Sequence, residues 1–482
     1  MLERRRVLHE RIARFLEAQF PEMVETQPEL IAFHYTEAGL GAQAIPYWQR
    51  AGERALQRWA NLEAISHLKQ GLELLGSLPD APERNRPADE AQRYSLLLPL
   101  GEAQWKAGEF LEARETLLSA ADVAQSLEST ESVVRAGVEL ARLTFTVGLP
   151  AAPAVRILEE ALRKLGAEDS PLKAKTLGSL ARVLAASGAQ QRAVVCAEKG
   201  LDMARRFDDP ALVAANLDAM NHALAGPEYA QQRLANATEM LRLAKAADNS
   251  YFIWNDAHYW RLYCLLELGD MPAADAEIDA YARFVEERHE PFQVCLVTGF
   301  QCMRALMQGR FEDSERLAQQ AFAVGQRMQT ETAAGIFGLQ MFTLRREQGR
   351  LKEVEPAIRV FVQQHSAAAA WRPGLAVIYS ELGRTADARA EFENLAQHDF
   401  ADLPRDALWM GCMTYLADVC TFLEDKVRAA TLYKILLPFA GRNVVIGNGE
   451  SCCGALSRYL GALATPWRGG KRRRSISKTP WP

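Results

Sequence analysis

The 482-residue chain lacks the short signatures of common enzyme chemistry. No G-x-x-x-x-G-K-[ST] occurs, so there is no glycine loop and lysine to cradle a triphosphate: Gly469-Gly470-Lys471 runs into Arg472, and Thr465 stands where the first glycine belongs. H-E-x-x-H is missing, which removes the helical zinc-hydrolase site, and G-x-S-x-G is missing, which removes the nucleophile elbow. The eight histidines (9, 34, 67, 222, 258, 289, 365, 398) are scattered and read as packing or surface residues. The eight cysteines (196, 264, 295, 302, 412, 420, 452, 453) form no C-x-x-C pair, and the adjacent Cys452 and Cys453 cannot easily chelate one metal together. Several fall on apolar helix faces, the usage of reduced, buried thiols in a cytoplasmic protein. There is neither a signal peptide nor an apolar run of membrane-spanning length. These absences leave no expected catalytic residue, metal, cofactor or membrane partner.

What is present is ample apolar material, 49% of residues, and a formal net charge of −5. The charge is uneven. Arg468, Lys471, Arg472, Arg473, Arg474 and Lys478 place six positives after residue 467, leaving −11 for the rest. A nucleic-acid partner is therefore not expected outside that tail.

A pattern recurs along the chain. In residues 177–200, Leu177, Leu180, Ala181 and Leu184 share one helical face, Gly188 breaks the helix, and Ala193, Ala197 and Gly200 place small residues on a second one. Leu97, Leu100, Gly101, Ala113, Leu117 and Ala120 fill the same slots around Gly108, and Leu375, Ala376, Tyr379, Ala388, Phe392 and Leu395 fill them around Gly383. Ile31, Ala32, Tyr35, Ala44, Trp48 and Ala51 do so around Gly39, and Leu416, Ala417, Ala429 and Tyr433 follow with Glu424 in the glycine slot. Glycines at 108, 148, 188, 269, 309 and 349 are spaced 40, 40, 81, 40 and 40, the 81 covering a degenerate unit near Gly226. A fixed period of this size means stacked helical hairpins, none able to bury its apolar face alone.

These slots resemble the tetratricopeptide repeat over most of residues 28–463, with a longer period than that repeat's usual length of about 34. The resemblance implies an all-α, right-handed superhelical solenoid of antiparallel helix pairs, about ten hairpins in all. Residues 1–76 read as an N-terminal helical stack, 77–93 as a linker, 94–464 as the solenoid and 465–482 as a basic tail. In the N-terminal stack Gly52, Ala55, Ala64, Leu68 and Gly71 repeat the pattern after only 20 residues, so one helix serves two units. The first helix begins without a leader, as though cut from something longer, with Val7, Leu8, Ile12, Phe15 and Leu16 expected on one face. No convincing strand region is expected anywhere in the chain. The tail abandons the repeat after Leu460 and Gly461; a frame slip is favoured over a native basic tail, because shifted frames can restore the repeat's slots.

A narrower resemblance rests on His9, Ile12, Ala13, Leu16, Glu17, Phe20, Pro21, His34, Tyr35, Glu37, Ala38 and Gly39, and later on residues 441–445 and 457–461. This stretch is similar to the repeat region that follows the ATPase module in bacterial signalling proteins with a class III adenylate/guanylate cyclase domain and an AAA-type (STAND-like) ATPase. The resemblance implies a sensory or scaffolding arm that regulates those output domains. It implies no enzyme here, since the phosphate-binding loop and the paired metal-binding aspartates of a cyclase are both missing. A free-standing adaptor and the repeat region of a large helix-turn-helix ATPase-type activator are the alternatives.

The most aromatic segment is 251–268, with Tyr251, Phe252, Trp254, Tyr259, Trp260 and Tyr263. Such a helix cannot bury every ring, so Trp254, Asn255, His258, Tyr259 and Arg261 are the candidate ligand surface, against ordinary inter-repeat packing as the other reading. The expected partner is a protein, a peptide or a small effector in the concave groove, or the parent protein's own ATPase and cyclase domains.

Overall fold

A computed structural model describes residues 2–78, 86–147, 149–246, 251–286, 291–327, 331–364, 372–403, 405–447 and 449–465. Residues 466–482 of the expected basic tail and residues 79–85 of the expected linker lie outside the described residues. The fold is all-α and built of tetratricopeptide-like helix pairs. Two compact units divide the chain, one of residues 1–187 with 327–330, the other of residues 188–326 and 331–482. Residues 86–93, read as linker from the sequence, are the first turns of a helix.

The first unit comprises α1 (Leu2–Gln19), α2 (Pro21–Thr26), α3 (Pro28–Glu37), α4 (Gly41–Gln57), α5 (Asn61–Ser77), α6 (Arg86–Ala107), α7 (Phe110–Ser126), α8 (Thr130–Val147), α9 (Ala152–Leu165) and α10 (Pro171–Ala186). Small residues set its helix crossings. A Cβ on Gly101 would lie 2.6 Å from Cδ2 of Leu117, and one on Gly52 would lie 2.4 Å from Cγ of Leu68, so α6 meets α7 and α4 meets α5 backbone to side chain. α4 serves two neighbours, because Trp48 also donates from Nε1 to Thr36 Oγ1 on α3 at 3.1 Å. α1 departs from its expected single apolar face. Ala13 and Leu16 join the cluster of Ile31, Tyr35 and Trp48. Val7, Leu8 and Phe15 are 45%, 57% and 58% exposed, because the five apolar positions span more arc than one packed seam covers.

The second unit comprises α11 (Gln190–Ala204), α12 (Pro210–Ala223), α13 (Ala230–Ala246), α14 (Tyr251–Leu268), α15 (Met271–Glu286), α16 (Pro291–Met307), α17 (Phe311–Arg327), α18 (Glu331–Glu347), α19 (Glu355–Gln364), α20 (Arg372–Glu381), α21 (Thr385–Leu395), α22 (Trp409–Phe422), α23 (Lys426–Leu436) and α24 (Leu456–Ala464). Helix starts follow local chemistry: the Asp209 side chain accepts from Leu212 N ahead of Pro210, and Asp425 accepts from Val427 N and Arg428 N.

The periodic glycines end their helices in the left-handed region, with φ of +87° at Gly108, +82° at Gly269, +73° at Gly309, +70° at Gly349 and +73° at Gly383. Gly226 does not: its φ is −70°, and a short 3-10 turn replaces the tight break there. Glu424 occupies the glycine slot at φ +56°, a conformation that costs an L side chain about 1–2 kcal/mol. Glu424→Gly is therefore expected to stabilise the chain by about 1 kcal/mol, read as a higher urea midpoint at unchanged slope. A lower midpoint would mean that the Glu424 side chain's own contacts outweigh the strain.

One element corrects the sequence reading. β1 (Asn443–Ile446) and β2 (Ser451–Ala455) form an antiparallel hairpin, with Val445 opposite Cys452 and Ile446 opposite Ser451. It lies against α14, α16, α18 and α22, the leading helices of four pairs. Val444 and Ile446 join the apolar cluster of α18–α24, whereas Val445 and Cys452 join that of α13–α16. A strand buried on both faces has no polar alternation, so its short apolar run gives no strand signal distinct from a buried helix turn.

Candidate ligand surface

α14 carries the aromatic segment, and it is buried on nearly every side; the side chains of Tyr251 and Phe252 lie outside the described residues. Toward α12, the Trp260 indole donates to Asp218 Oδ1 at 2.9 Å. Toward α13, Arg233 lies over the Tyr263 ring at 5.6 Å and donates to Glu267 at 2.6 Å. At the end of α14, Asn443 of β1 donates from Nδ2 to the Leu266 carbonyl at 3.0 Å. The aromatic density of this helix thus follows from its having neighbours on several flanks.

The five candidate residues fall into one packed cluster with α15 and α16. Asn255 accepts from the Tyr281 hydroxyl at 2.6 Å, and that hydroxyl also lies 2.9 Å from Oε1 of Gln293. Nδ1 of His258 is 2.6 Å from Oε1 of Glu277, whose other oxygen accepts from Arg261 Nε at 3.1 Å. Arg261 also donates to Thr238 Oγ1 at 2.8 Å. Burial by itself raises the Glu277 carboxyl, but the hydrogen bonds from His258 and Arg261 and the Arg261 charge hold it below its ordinary range. Trp254 stacks on Phe284 with ring centroids 5.6 Å apart, and His258 stacks on Tyr281 at 5.9 Å. Tyr259 contacts the rings of Trp260, Tyr263 and Phe300, and burial pushes its hydroxyl well above the ordinary tyrosine value.

Asn255 and His258 are therefore buried, while Trp254, Tyr259 and Arg261 are half-buried. Sequence reasoning did not identify Glu277, Tyr281 and Phe284 as their partners. The signal was available, since these three recur at helical spacing on α15. Gln293 on α16 carried no local signal; only the stacking of pairs brings it in.

The cluster is poorly suited to nucleophilic catalysis. Its histidine is oriented by a carboxylate, yet Nε2 of His258 has no hydroxyl or thiol within hydrogen-bond distance. The buried thiols nearby are poor nucleophiles, with Cys264 and Cys452 each pushed up to about 12 by burial. Among the described residues, no group of three or more His, Cys, Asp or Glu could hold a metal ion, and no helix is long and apolar enough to cross a membrane.

The hairpin closes off much of the wall beside this cluster. Gln340 on α18 donates from Nε2 to the Gly299 carbonyl at 3.1 Å and to the Glu450 carbonyl at 3.4 Å. Thr343 and Ser451 share a buried hydrogen bond of 2.9 Å. An extended stretch of polypeptide thus lies across the leading helices, held by side chain to backbone bonds and by both of its faces.

No protein-family model matches the chain, and no curated protein does. Solved structures do. The chain is similar to a Rap protein complexed with competence and sporulation factor, at 14% identity and a TM-score of 0.47, over 78% of this chain and 99% of that one. It is similar to a chain of the APC/C hetero-tetramer Cut9–Hcn1 at 11% identity and a TM-score of 0.36, over 96% and 95%. It is similar to yeast Tom70 at 13% identity and a TM-score of 0.33, over 95% of each chain.

Proposed function

We propose that this chain is a non-catalytic, cytoplasmic scaffold or sensor region of a signalling protein. It binds a protein or peptide along the leading helices of its pairs and regulates an ATPase or cyclase output domain. The observation that carries the binding reading is the hairpin of β1 and β2, whose packing against these helices supports a wall suited to extended polypeptide. The half-buried Trp254, Tyr259 and Arg261 belong to α14, one of the helices the hairpin touches, and form the proposed ligand surface. The signalling assignment is supported by the motif His9 to Gly39, which resembles the segment following an ATPase module.

Two measurements test the reading. Purified chain incubated with ATP or GTP and magnesium is expected to give no turnover above buffer; steady product formation would make it an enzyme and overturn the proposal. Reading the coding sequence upstream of residue 1 is expected to reveal an in-frame ATPase. A promoter and ribosome site immediately upstream would instead support a free-standing adaptor.

A further inference from the structure

Two ring nitrogens on α14 are buried without a hydrogen-bond partner: Nε1 of Trp254 and Nε2 of His258. They are one helical turn apart, with ring centroids separated by 5.0 Å and planes inclined by 35°. His258 is only 5% exposed. Native proteins pair nearly all such groups, so two adjacent ones mark a place where an acceptor belongs.

The chemistry of that acceptor follows from the groups around it. The indole nitrogen is a donor and nothing else. Nδ1 of His258 faces a carboxylate at 2.6 Å, which can only accept, so Nδ1 carries a hydrogen. Nε2 then becomes a second donor when the ring is protonated. Glu277 from α15 lies against the ring, Arg261 from α14 reaches the other oxygen of that carboxylate, and Asp256 from α14 accepts from Asn255 Nδ2 at 3.1 Å; Tyr281 faces the ring as a stacked neutral ring, and Asn255 and Gln293 are neutral amides. Arg261 already matches the single negative charge of Glu277. Protonating His258 therefore leaves the His258–Glu277–Arg261 triad one positive charge in excess, Asp256 being turned to the Asn255 amide instead. The rings of Trp254, Tyr281 and Phe284 lie around the imidazole, with centroids 5.0, 5.9 and 6.0 Å from its own. Trp254 is half-buried, so its ring reaches the surface while both nitrogens lie beneath it.

We infer that Trp254 Nε1–H and His258 Nε2–H together receive one carboxylate oxygen of a bound peptide, with His258 taking up a proton as the anion binds. This rests on the peptide-binding reading above, and its failure leaves the scaffold reading untouched, because that is tested by turnover and by gene context. The carboxylate comes from a chain terminus or from an aspartate or glutamate side chain.

The test uses the full chain labelled with 5-fluorotryptophan and read by fluorine NMR. Nine tryptophans give nine signals, and Trp254→Phe, which keeps a ring but loses the N–H, identifies the one that matters. Trp48, Trp59, Trp105, Trp260 and Trp409 report that the fold is intact. Acetate at constant ionic strength is expected to move the Trp254 signal saturably, and acetamide is expected to leave it in place. Because one proton is taken up, the acetate affinity should weaken by up to about tenfold per pH unit once His258 loses its proton. His258→Phe should abolish the response while the other signals stay put. N-acetylglycine and N-acetyl-aspartyl amide then separate the two sources: the one acting at lower concentration names the terminus or the side chain. An unmoved Trp254 signal, an equal response to acetamide, or an undiminished response in His258→Phe would overturn the assignment and leave these nitrogens to a structural water.

Discussion

Gly449→Val is expected to destabilise the second unit by about 2–5 kcal/mol, combining left-handed backbone strain with overpacking. Gly449 sits at the tip of the hairpin with φ +91°, where a side chain is strained whatever the space around it. Space is also lacking, since a Cβ there would lie 2.4 Å from Cε1 of Phe300. Phe300 is 2% exposed and set among Tyr259 and Tyr281, so it cannot retreat without disturbing α14 and α15. The hairpin joins two apolar clusters, and a displaced tip loosens both. Urea unfolding measures the loss, and native-state hydrogen exchange at Val445 and Ile446 locates it. The control is Gly335→Ala on α18, where a Cβ meets nothing within 4 Å. That change should stabilise by about 0.5–1 kcal/mol through helix propensity. Equal and small effects of the two substitutions would mean that the hairpin tip is not packed as described.

The hairpin also bears on how the second unit moves. A solenoid whose repeats touch only their neighbours bends easily, because its curvature is a sum of small inter-repeat rotations. Contacts such as Gln340 with Glu450 and Asn443 with Leu266 span 110 and 177 residues of sequence. They couple pairs that are not adjacent and stiffen that coordinate between α14 and α22. A ligand at the surface proposed on α14 would therefore act on a braced framework, which favours a local response at α14–α16 over a change of curvature.

The sequence was most informative where one residue type meets one physical need. Turn glycines at 108, 269, 309, 349 and 383 are required by backbone conformation, and small residues such as Gly101 by close helix approach; both needs repeat, so both show as period. Glu424 was legible as an occupant of the glycine slot for the same reason. The face of α1 was misjudged because an apolar arc does not say how much of itself finds a neighbour; Phe15 is apolar and exposed. The hairpin was missed because Val444, Val445 and Ile446 are apolar on both faces. Of the candidate surface, the α14 residues were legible from composition alone. Their partner Gln293 was not, since the stacking of one helix pair on the next leaves no local trace.

The degenerate unit near Gly226 is held by an ion pair where its relatives rely on a glycine turn, and Glu267→Ala should expose that dependence. Arg233 is 1% exposed, and its guanidinium donates to the Leu224 carbonyl, to the Gly226 carbonyl at 2.8 Å and to Glu267 at 2.6 Å. Burial alone would draw the proton off Arg233, but the Glu267 carboxylate keeps it charged above the ordinary arginine value. Removing Glu267 leaves that charge buried and unpaired, at an expected cost of about 3–5 kcal/mol. Arg233→Met removes the charge but orphans two buried carbonyls and Glu267, so it should be comparably damaging. In Arg233→Met/Glu267→Leu no charge remains, and only the carbonyls are left without partners. The double variant is therefore expected to lose less than the sum of the single losses, with a coupling of about 2 kcal/mol or more in a urea-unfolding cycle. Additive losses would show that Arg233 works through the carbonyls of the 224–226 connection alone. Hydrogen exchange in α12 and α13 separates the cases further, because loosening of the connection should raise exchange there in Arg233→Met more than in Glu267→Ala.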